Sequence, residues 1–405
     1  MVQVSQAPDA APRSLGQLLA PFGRDRFLAE HYGRQALHVP GTAERFAGVA
    51  GWQDLDELLA ALPLWSDKSL ALSLAGQPVP ARQWGREGTD RLGDKVRQPD
   101  PAKLADWLRQ GATLAIDFVD RLLPPVRRLA ESLEAALQAP VTASFFLSWQ
   151  RRQGYPAHFD TQEVFALQLI GRKAWRLYGG GFEAPVDLPG LRSNELTAER
   201  KAQLGGPLAQ RVELATGDLL YVPAGQFHEA LALEEASLHL SLGVMRPTAQ
   251  DYLAQLLPAL AAQSADLRRP LPPPGDPAAQ ERFLAALGQH LAAALAGPAG
   301  PASLRAHAAS RARAHWSGLA LQQRRRQARW RVCWPGARLE GSRHQAADGV
   351  ARELPPAAAA LAARLWPLDL VEESDLAGDT AGAAALEAVG FLAPLWPAEV
   401  ATAAT

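Results

Sequence analysis

His158-Phe159-Asp160 and the distant His228 narrow most sharply what this chain folds into, because bringing them together demands β-structure folded back on itself. Residues i and i+2 of a strand project to one face, so an extended segment lets His158 and Asp160 converge on one ion. The third donor must then arrive from a strand remote in sequence. Gly217-Asp218 reads as a tight turn and Leu219-Leu220-Tyr221-Val222 as a short apolar strand. Pro223 and Gly225 end that strand and set a second turn, from which His228 enters an adjacent strand over residues 229–233. Two imidazoles and one carboxylate are a donor set that leaves positions open on Fe(II) for a co-substrate and O2, so the set predicts an oxygenase. A histidine taken singly is more often a satisfied core or surface residue; the combination with the intervening strands is what favours metal. His239, in Ser237-Leu238-His239-Leu240-Ser241, competes for the distal position. It lies inside an alternating strand with no Pro-Gly turn before it, so His228 is preferred. His31, His38, His290, His307, His315 and His344 have no partner at ligand spacing.

A second signal lies between the donors. Phe165, Leu167 and Leu169 alternate, Gly171 turns the chain, and Lys173, Trp175 and Leu177 continue with one parity on the return strand. This pattern predicts a hairpin with Lys173 on the apolar face. A buried ammonium is costly unless it is paired. Two readings stand at this point: an anionic ligand, such as a carboxylate deep in the barrel, supplies the partner, or the side chain snorkels to water. Lysine is scarce in this chain, limited to Lys68, Lys95, Lys103, Lys173 and Lys201 against a large excess of arginine.

These stretches carry a resemblance. His158-Phe159-Asp160, Gly171-Arg172-Lys173-Ala174-Trp175-Arg176-Leu177-Tyr178 within the run from Glu163, and the segment from Gly217 to Glu229 resemble the ribosomal oxygenases, JmjC-type cupin hydroxylases that use Fe(II) and 2-oxoglutarate. Phe27-Leu28-Ala29-Glu30-His31-Tyr32-Gly33-Arg34-Gln35-Ala36-Leu37-His38-Val39-Pro40 is similar to their entry segment. The resemblance implies an α+β fold with a double-stranded β-helix core and N-terminal helices, then a helical dimerisation region and a C-terminal winged-helix-like domain. It implies His158, Asp160 and His228 as iron ligands and Lys173 as the partner of the distal carboxylate of 2-oxoglutarate. Ser241 falls where relatives place a small hydroxyl residue near that co-substrate. Phe146 falls where some relatives have a tyrosine that contacts it; the hydroxyl is missing here, and Ser148, on the same strand face, is the candidate replacement. Trp149, Tyr155 and Gln168 are candidates for the substrate channel or, equally, for the core. The implied chemistry is hydroxylation of an Arg or His side chain of a ribosomal protein, with 2-oxoglutarate and O2 consumed and succinate and CO2 released. The alternatives are the same chemistry on another protein, a peptide or a small molecule, or a metal-binding cupin module without turnover.

Length is consistent with several domains and a sizeable core, at 405 residues. The expected divisions are a flexible start at 1–14, a catalytic domain with helical decoration at 15–247, a helical region at 248–323 behind the marker Pro247, and a last α+β module at 324–405. Within these, helices are expected over residues 55–62, 125–137, 251–267 and 278–295 and strands over residues 70–74, 113–119 and 330–334, while residues 179–206 read as a long loop. The formal net charge of −1 gives no global attraction to nucleic acid or membranes. An arginine-rich stretch, Arg305, Arg311, Arg313, Arg324, Arg325, Arg326, Arg329, Arg331, Arg338 and Arg343, is read either as a face for an RNA-rich or acidic partner or as a solvated helix face. A single cysteine, Cys333, excludes an internal disulfide and suits a reducing cytoplasm. The first ten residues lack a basic region followed by an apolar core, and no apolar run is long enough to span a bilayer, so neither a secretory leader nor a membrane anchor is expected.

Overall fold

A computed structural model describes residues 11–60, 65–89, 94–149, 154–233, 236–297, 299–310, 329–332, 338–345 and 350–394. The strands up to the helical region are β1 Leu37–Val39, β2 Leu70–Leu74, β3 Gln77–Val79, β4 Gly85–Thr89, β5 Lys95–Pro99, β6 Thr113–Asp117, β7 Val141–Ser148, β8 Glu163–Ile170, β9 Lys173–Gly181, β10 Leu208–Leu214, β11 Leu219–Val222, β12 Gln226–Ala232 and β13 Ser237–Val244. Helices α1 Leu15–Leu18, α2 Arg24–Glu30, α3 Trp52–Ala60, α4 Ala81–Trp84, α5 Pro101–Arg109, α6 Pro124–Leu137 and α7 Ala198–Gly205 decorate them.

An eight-stranded sheet runs β1-β11-β8-β13-β7-β6-β2-β3, and a three-stranded sheet runs β10-β9-β12. From β8 onward the chain alternates between the two, with β8, β11 and β13 in the large sheet and β9, β10 and β12 in the small one. That alternation is the double-stranded β-helix. Side chains of one parity from each sheet meet in the interior, namely Val164 and Ala166, Leu220 and Val222, Trp175 and Leu177, and Val212 and Leu214. The opposite face of the large sheet is covered by helices. Phe27 of α2 meets Tyr221 edge-on at 4.8 Å and Phe165 at 5.6 Å, and α6, with Val126, Leu129 and Leu133 fully buried, lies against β7 and β13.

The expected hairpin between β8 and β9 is corrected here. Gly171 turns the chain at φ +72, but the strands separate into different sheets. Lys173, Trp175 and Leu177 therefore share the interior with Val164 and Ala166, while Phe165 is claimed by Phe27 on the outer face. The expected loop over residues 179–206 also contains regular structure, because β9 continues to Gly181 and α7 begins at Ala198 behind a Thr197 cap.

Gly217 sets the turn into β11 at φ +94, and a Cβ there would lie 1.8 Å from the Thr42 carbonyl oxygen. Gly217→Ala is expected to destabilise the protein by about 2 kcal/mol or more, combining left-handed backbone strain with a clash against main chain. Urea unfolding checks this, with Gly275→Ala, whose Cβ meets nothing within 4 Å, as the neutral control.

Beyond β13, the chain forms α8 Ala249–Gln263, α9 Pro277–Ala296 and α10 Ala299–Ser310, which belong to a second compact unit of residues 246–316. Here the expected helices are present, and Tyr252 donates to Ser303 Oγ at 3.3 Å to tie α8 to α10. The C-terminal part belongs to the same unit as the barrel. It comprises β14 Arg329–Val332, β15 Arg338–Glu340, β16 Arg343–Gln345, β17 Ala351–Glu353, α11 Pro356–Leu365, β18 Leu370–Glu372, α12 Thr380–Ala388 and β19 Leu392–Pro394. Its sheets run β18-β14-β19 and β15-β16-β17, and Leu361, Leu365, Val371, Leu386 and Phe391 form its core. Asp369 accepts the Leu15 N–H, and Arg13 pairs with Asp375 at 3.0 Å, so residues 13–15 are docked. Of the arginine-rich stretch, Arg311, Arg313, Arg324, Arg325 and Arg326 lie outside the described residues, as does Cys333. No helix among the described residues is long and apolar enough to cross a membrane.

Candidate metal centre

His228 sits on β12, which β9 flanks on one side; on the other, His158 forms an isolated bridge with it. The His158 N–H donates to the His228 carbonyl at 3.0 Å and the His228 N–H to the His158 carbonyl at 2.8 Å. The two imidazoles are thereby held side by side, with ring centroids 4.5 Å apart. Gly225 N–H donates to the Asp160 carbonyl at 2.9 Å, which anchors the third residue to the same turn. The outcome is a cluster of three donor atoms within 4.8 Å of one another. His228 Nε2 lies 3.5 Å from Asp160 Oδ2, and His158 Nε2 lies 3.9 Å from Asp160 Oδ1.

Both imidazoles are oriented from behind. His158 Nδ1 donates to Pro156 O at 2.8 Å and His228 Nδ1 to Gln226 O at 3.0 Å. A carbonyl only accepts, so each ring carries a proton on Nδ1 and turns Nε2 toward Asp160. A second-sphere hydrogen bond of this kind is the usual way a ligating histidine is aimed. Burial pushes the His228 imidazole down to about 4, His158 adding to that shift and Asp160 opposing it. Two imidazole nitrogens facing one carboxylate fit a divalent ion of borderline hardness, with His158 and Asp160 still partly open to incoming molecules.

Lys173 is 4% exposed at the start of β9. Its Nζ donates to Ser148 Oγ and to His239 Nδ1, both at 3.2 Å, and Ser148 Oγ lies 2.9 Å from Thr113 Oγ1. None of these partners is an acid. Burial alone brings the Lys173 ammonium down to about 7, and burial, then the Lys173 charge, holds His239 well below the ordinary histidine range. Two of the three ammonium N–H groups are satisfied by neutral acceptors, leaving one donor and the whole charge for an anion. Snorkelling to water is corrected by this burial. Trp175 bridges the two clusters, its ring stacked on His228 at 5.8 Å and edge-on to His239 at 5.6 Å. Its buried Nε1 has no hydrogen-bond partner, a second unused donor in the same interior.

The other residues singled out from sequence are placed as follows. Phe146 is stacked on His239 at 5.0 Å with an interplanar angle of 8°. Tyr155 stands between Phe146 and His158, at 6.0 and 6.2 Å, with its hydroxyl pushed up to about 12 by burial and then by Asp117. Ser241 is half-buried, opposite Ser144 on β7 and Ala166 on β8, two residues from His239 on the same face. Trp149 stacks on Trp52 of α3 at 5.9 Å. Gln168 takes the core position weighed for it alongside the channel. It is fully buried, and its amide donates to Ile170 O at 2.8 Å and to Ser237 Oγ at 2.9 Å, so it fastens β8 to β13. Thr113 and the Lys173-bound role of His239 were not foreseen. The period-2 spacing of Ser237, His239 and Ser241 on β13 was the available signal.

Residues 121–252 match the JmjC domain family. Ribosomal oxygenase 1 of Gallus gallus is 31% identical over 245 residues, covering 60% of this chain and 38% of that protein. The bifunctional lysine-specific demethylase and histidyl-hydroxylase NO66 of Drosophila mojavensis is 27% identical over 278 residues, covering 67% of this chain and 30% of that protein. The chain thus spans well under half the length of these two relatives. Among solved structures, E. coli ycfD is 18% identical with a TM-score of 0.46, covering 91% of this chain and 97% of that chain.

Proposed function

We propose that this chain, whose residues 121–252 match the JmjC domain family, is an Fe(II)- and 2-oxoglutarate-dependent dioxygenase that hydroxylates an Arg or His side chain of a ribosomal protein. The observation that carries this reading is the convergence of His158, Asp160 and His228 with both histidine Nδ1 protons tied back to carbonyls. Those three side chains would hold the iron. When bound, the iron with 2-oxoglutarate and O2 supplies oxidising power for C–H hydroxylation, the co-substrate leaving as succinate and CO2.

The chain's own residues do the rest. Lys173, with no acidic partner among the described residues, supplies the charge and one free N–H to the distal carboxylate, and Ser241 faces the same interior with a further hydroxyl. Phe146 brings no hydroxyl, and Ser148 is already engaged by Lys173, so it fixes the ammonium before it could replace that contact. The apolar interior of Val164, Ala166, Trp175 and Leu177 excludes bulk water around the ion pair and strengthens it. Tyr155, 6.2 Å from His158, would border the incoming substrate side chain.

The ribosomal substrate is supported by the names of the relatives and by the open side of the donor cluster. Homodimerisation through the helical region 248–323 is supported by the leucines Leu253, Leu257, Leu284, Leu295 and Leu304, all exposed. A winged-helix-like role for residues 324–405 is supported by α11 and α12 with the strands beside them, and cytoplasmic residence by the single cysteine.

The full chain loaded with Fe(II) is expected to release succinate from 2-oxoglutarate, and ribosomal proteins from cells lacking the gene to lose a one-oxygen mass increment in one component. Succinate release without any such mass change would move the target to another protein, peptide or small molecule. No release with metal bound would instead mark a binding module.

A further inference from the structure

Three imidazoles line the same interior, and their ring nitrogens are used in opposite ways. His158 and His228 each bond a backbone carbonyl through Nδ1, which requires Nδ1–H. His239 meets the Lys173 ammonium through Nδ1 at 3.2 Å. A protonated Lys173 has three donors and no lone pair, so in that state His239 Nδ1 must be bare and its proton must sit on Nε2. The ring is also clamped. Phe146 lies parallel to it at 5.0 Å, and Trp175 meets it edge-to-face at 5.6 Å, which fixes the plane of the imidazole. The other Lys173 bond goes to Ser148 Oγ, itself tied to Thr113 on the neighbouring strand.

We infer that His239 is a positioning residue for the co-substrate: held in plane by the Phe146 stack and as the neutral Nε2–H tautomer by the Lys173 donor, it accepts a hydrogen bond from Lys173 Nζ and aims the remaining N–H at the distal carboxylate of 2-oxoglutarate. This rests on the functional reading above. It also gives Phe146 a task of its own, since a phenyl ring of this placement orients the imidazole where a hydroxyl would have contacted the ligand directly. A flexible four-carbon stem in a buried site has several rotamers to lose, and the Ser148 and His239 acceptors remove that choice before the ligand arrives.

The test is titration of 2-oxoglutarate into the full-length protein loaded with Mn(II), together with 15N spectra of the histidine rings in the metal-free protein. His239→Phe keeps an aromatic ring on Phe146 and deletes the acceptor; it is expected to weaken 2-oxoglutarate binding by about 10- to 100-fold, the range for one hydrogen bond to a charged group. His239→Asn, with an amide oxygen near the position of Nδ1, is expected to recover most of that loss. Mn(II) affinity should stay within about threefold in both. Recorded below about pH 7, where Lys173 is charged, the spectra should show the ring that disappears in His239→Phe protonated on Nε2 alone, and the His158 and His228 rings carrying a proton on Nδ1. Wild-type binding retained by His239→Phe, or an Nδ1–H tautomer at His239, would overturn the inference. A wild-type protein that binds Mn(II) but no 2-oxoglutarate would instead overturn the functional reading, and this inference with it.

Discussion

Lys173→Met is expected to weaken 2-oxoglutarate binding by at least about 30-fold while leaving metal affinity within a few-fold. The size follows from the burial of the pair: removing one partner of a fully desolvated charge pair typically costs about 2–5 kcal/mol, and every 1.4 kcal/mol is about tenfold in affinity. The metal is spared because no hydrogen bond joins Lys173 to His158, Asp160 or His228. The fold is spared as well. Burial lowers the Lys173 pKa from 10.5 to about 7 in the folded chain, so between those values the unfolded chain binds more protons and stability rises with pH. Below about 7 the buried charge is fully present and only costs stability, so the methionine variant should resist urea at least as well as wild type at neutral pH.

A pH dependence distinguishes this account from simple loss of packing. The carboxylate needs an ammonium, and above about pH 7 the unliganded Lys173 is mostly neutral, so each binding event must take up one proton. The apparent dissociation constant should therefore rise about tenfold per pH unit above 7 until the pKa of the liganded state is reached. His239 is neutral throughout this range and contributes no slope. Lys173→Arg keeps a charge that does not titrate and should bind weakly but without the slope. A flat wild-type profile, or a methionine variant with unchanged affinity, would remove Lys173 from the co-substrate site.

Much of this site was legible because the relevant periodicities are local. The spacing of His158 and Asp160, the Gly217-Asp218 turn and the Pro223 to Gly225 turn each set a direction within a few residues. Strand parity placed Lys173 inward, although the same alternation in β8 was assigned to the wrong partner face: a two-residue turn looks alike whether the strands pair or part into separate sheets. Tertiary pairings were not legible. Asp218 reads as a turn residue, yet its carboxylate accepts from Gly41 N–H at 2.9 Å and Ala215 N–H at 3.1 Å and meets His38 Nε2 at 3.1 Å, joining β1 to the turn. Likewise Thr113 reaches Ser148 only because β6 pairs with β7. Period-2 spacing on β13 turns His239 inward, but it does not identify a lysine on another sheet as the partner.

His228→Ala is expected to abolish metal-dependent turnover and to weaken Mn(II) binding by more than about 100-fold, because altering the partners behind a ligand already costs about 10- to 100-fold in metal affinity and this change removes the ligand itself. The loss should not come from unfolding. The two hydrogen bonds that bridge residue 228 to His158 are main chain to main chain, at 2.8 and 3.0 Å, and alanine keeps both. What disappears is a ring between Trp175 and His158, a truncation worth about 1–3 kcal/mol, which a thermal melt registers without eliminating the folded state. His239→Ala provides the contrast. It removes an equally buried imidazole from the same interior, yet it should keep wild-type Mn(II) affinity, because its Nδ1 faces Lys173 instead of Asp160. Beyond a similar loss of stability, its cost should fall on 2-oxoglutarate binding. Should His228→Ala bind Mn(II) as tightly as wild type while His239→Ala releases it, the two imidazoles would exchange roles, and the donor cluster around Asp160 would cease to be the metal centre.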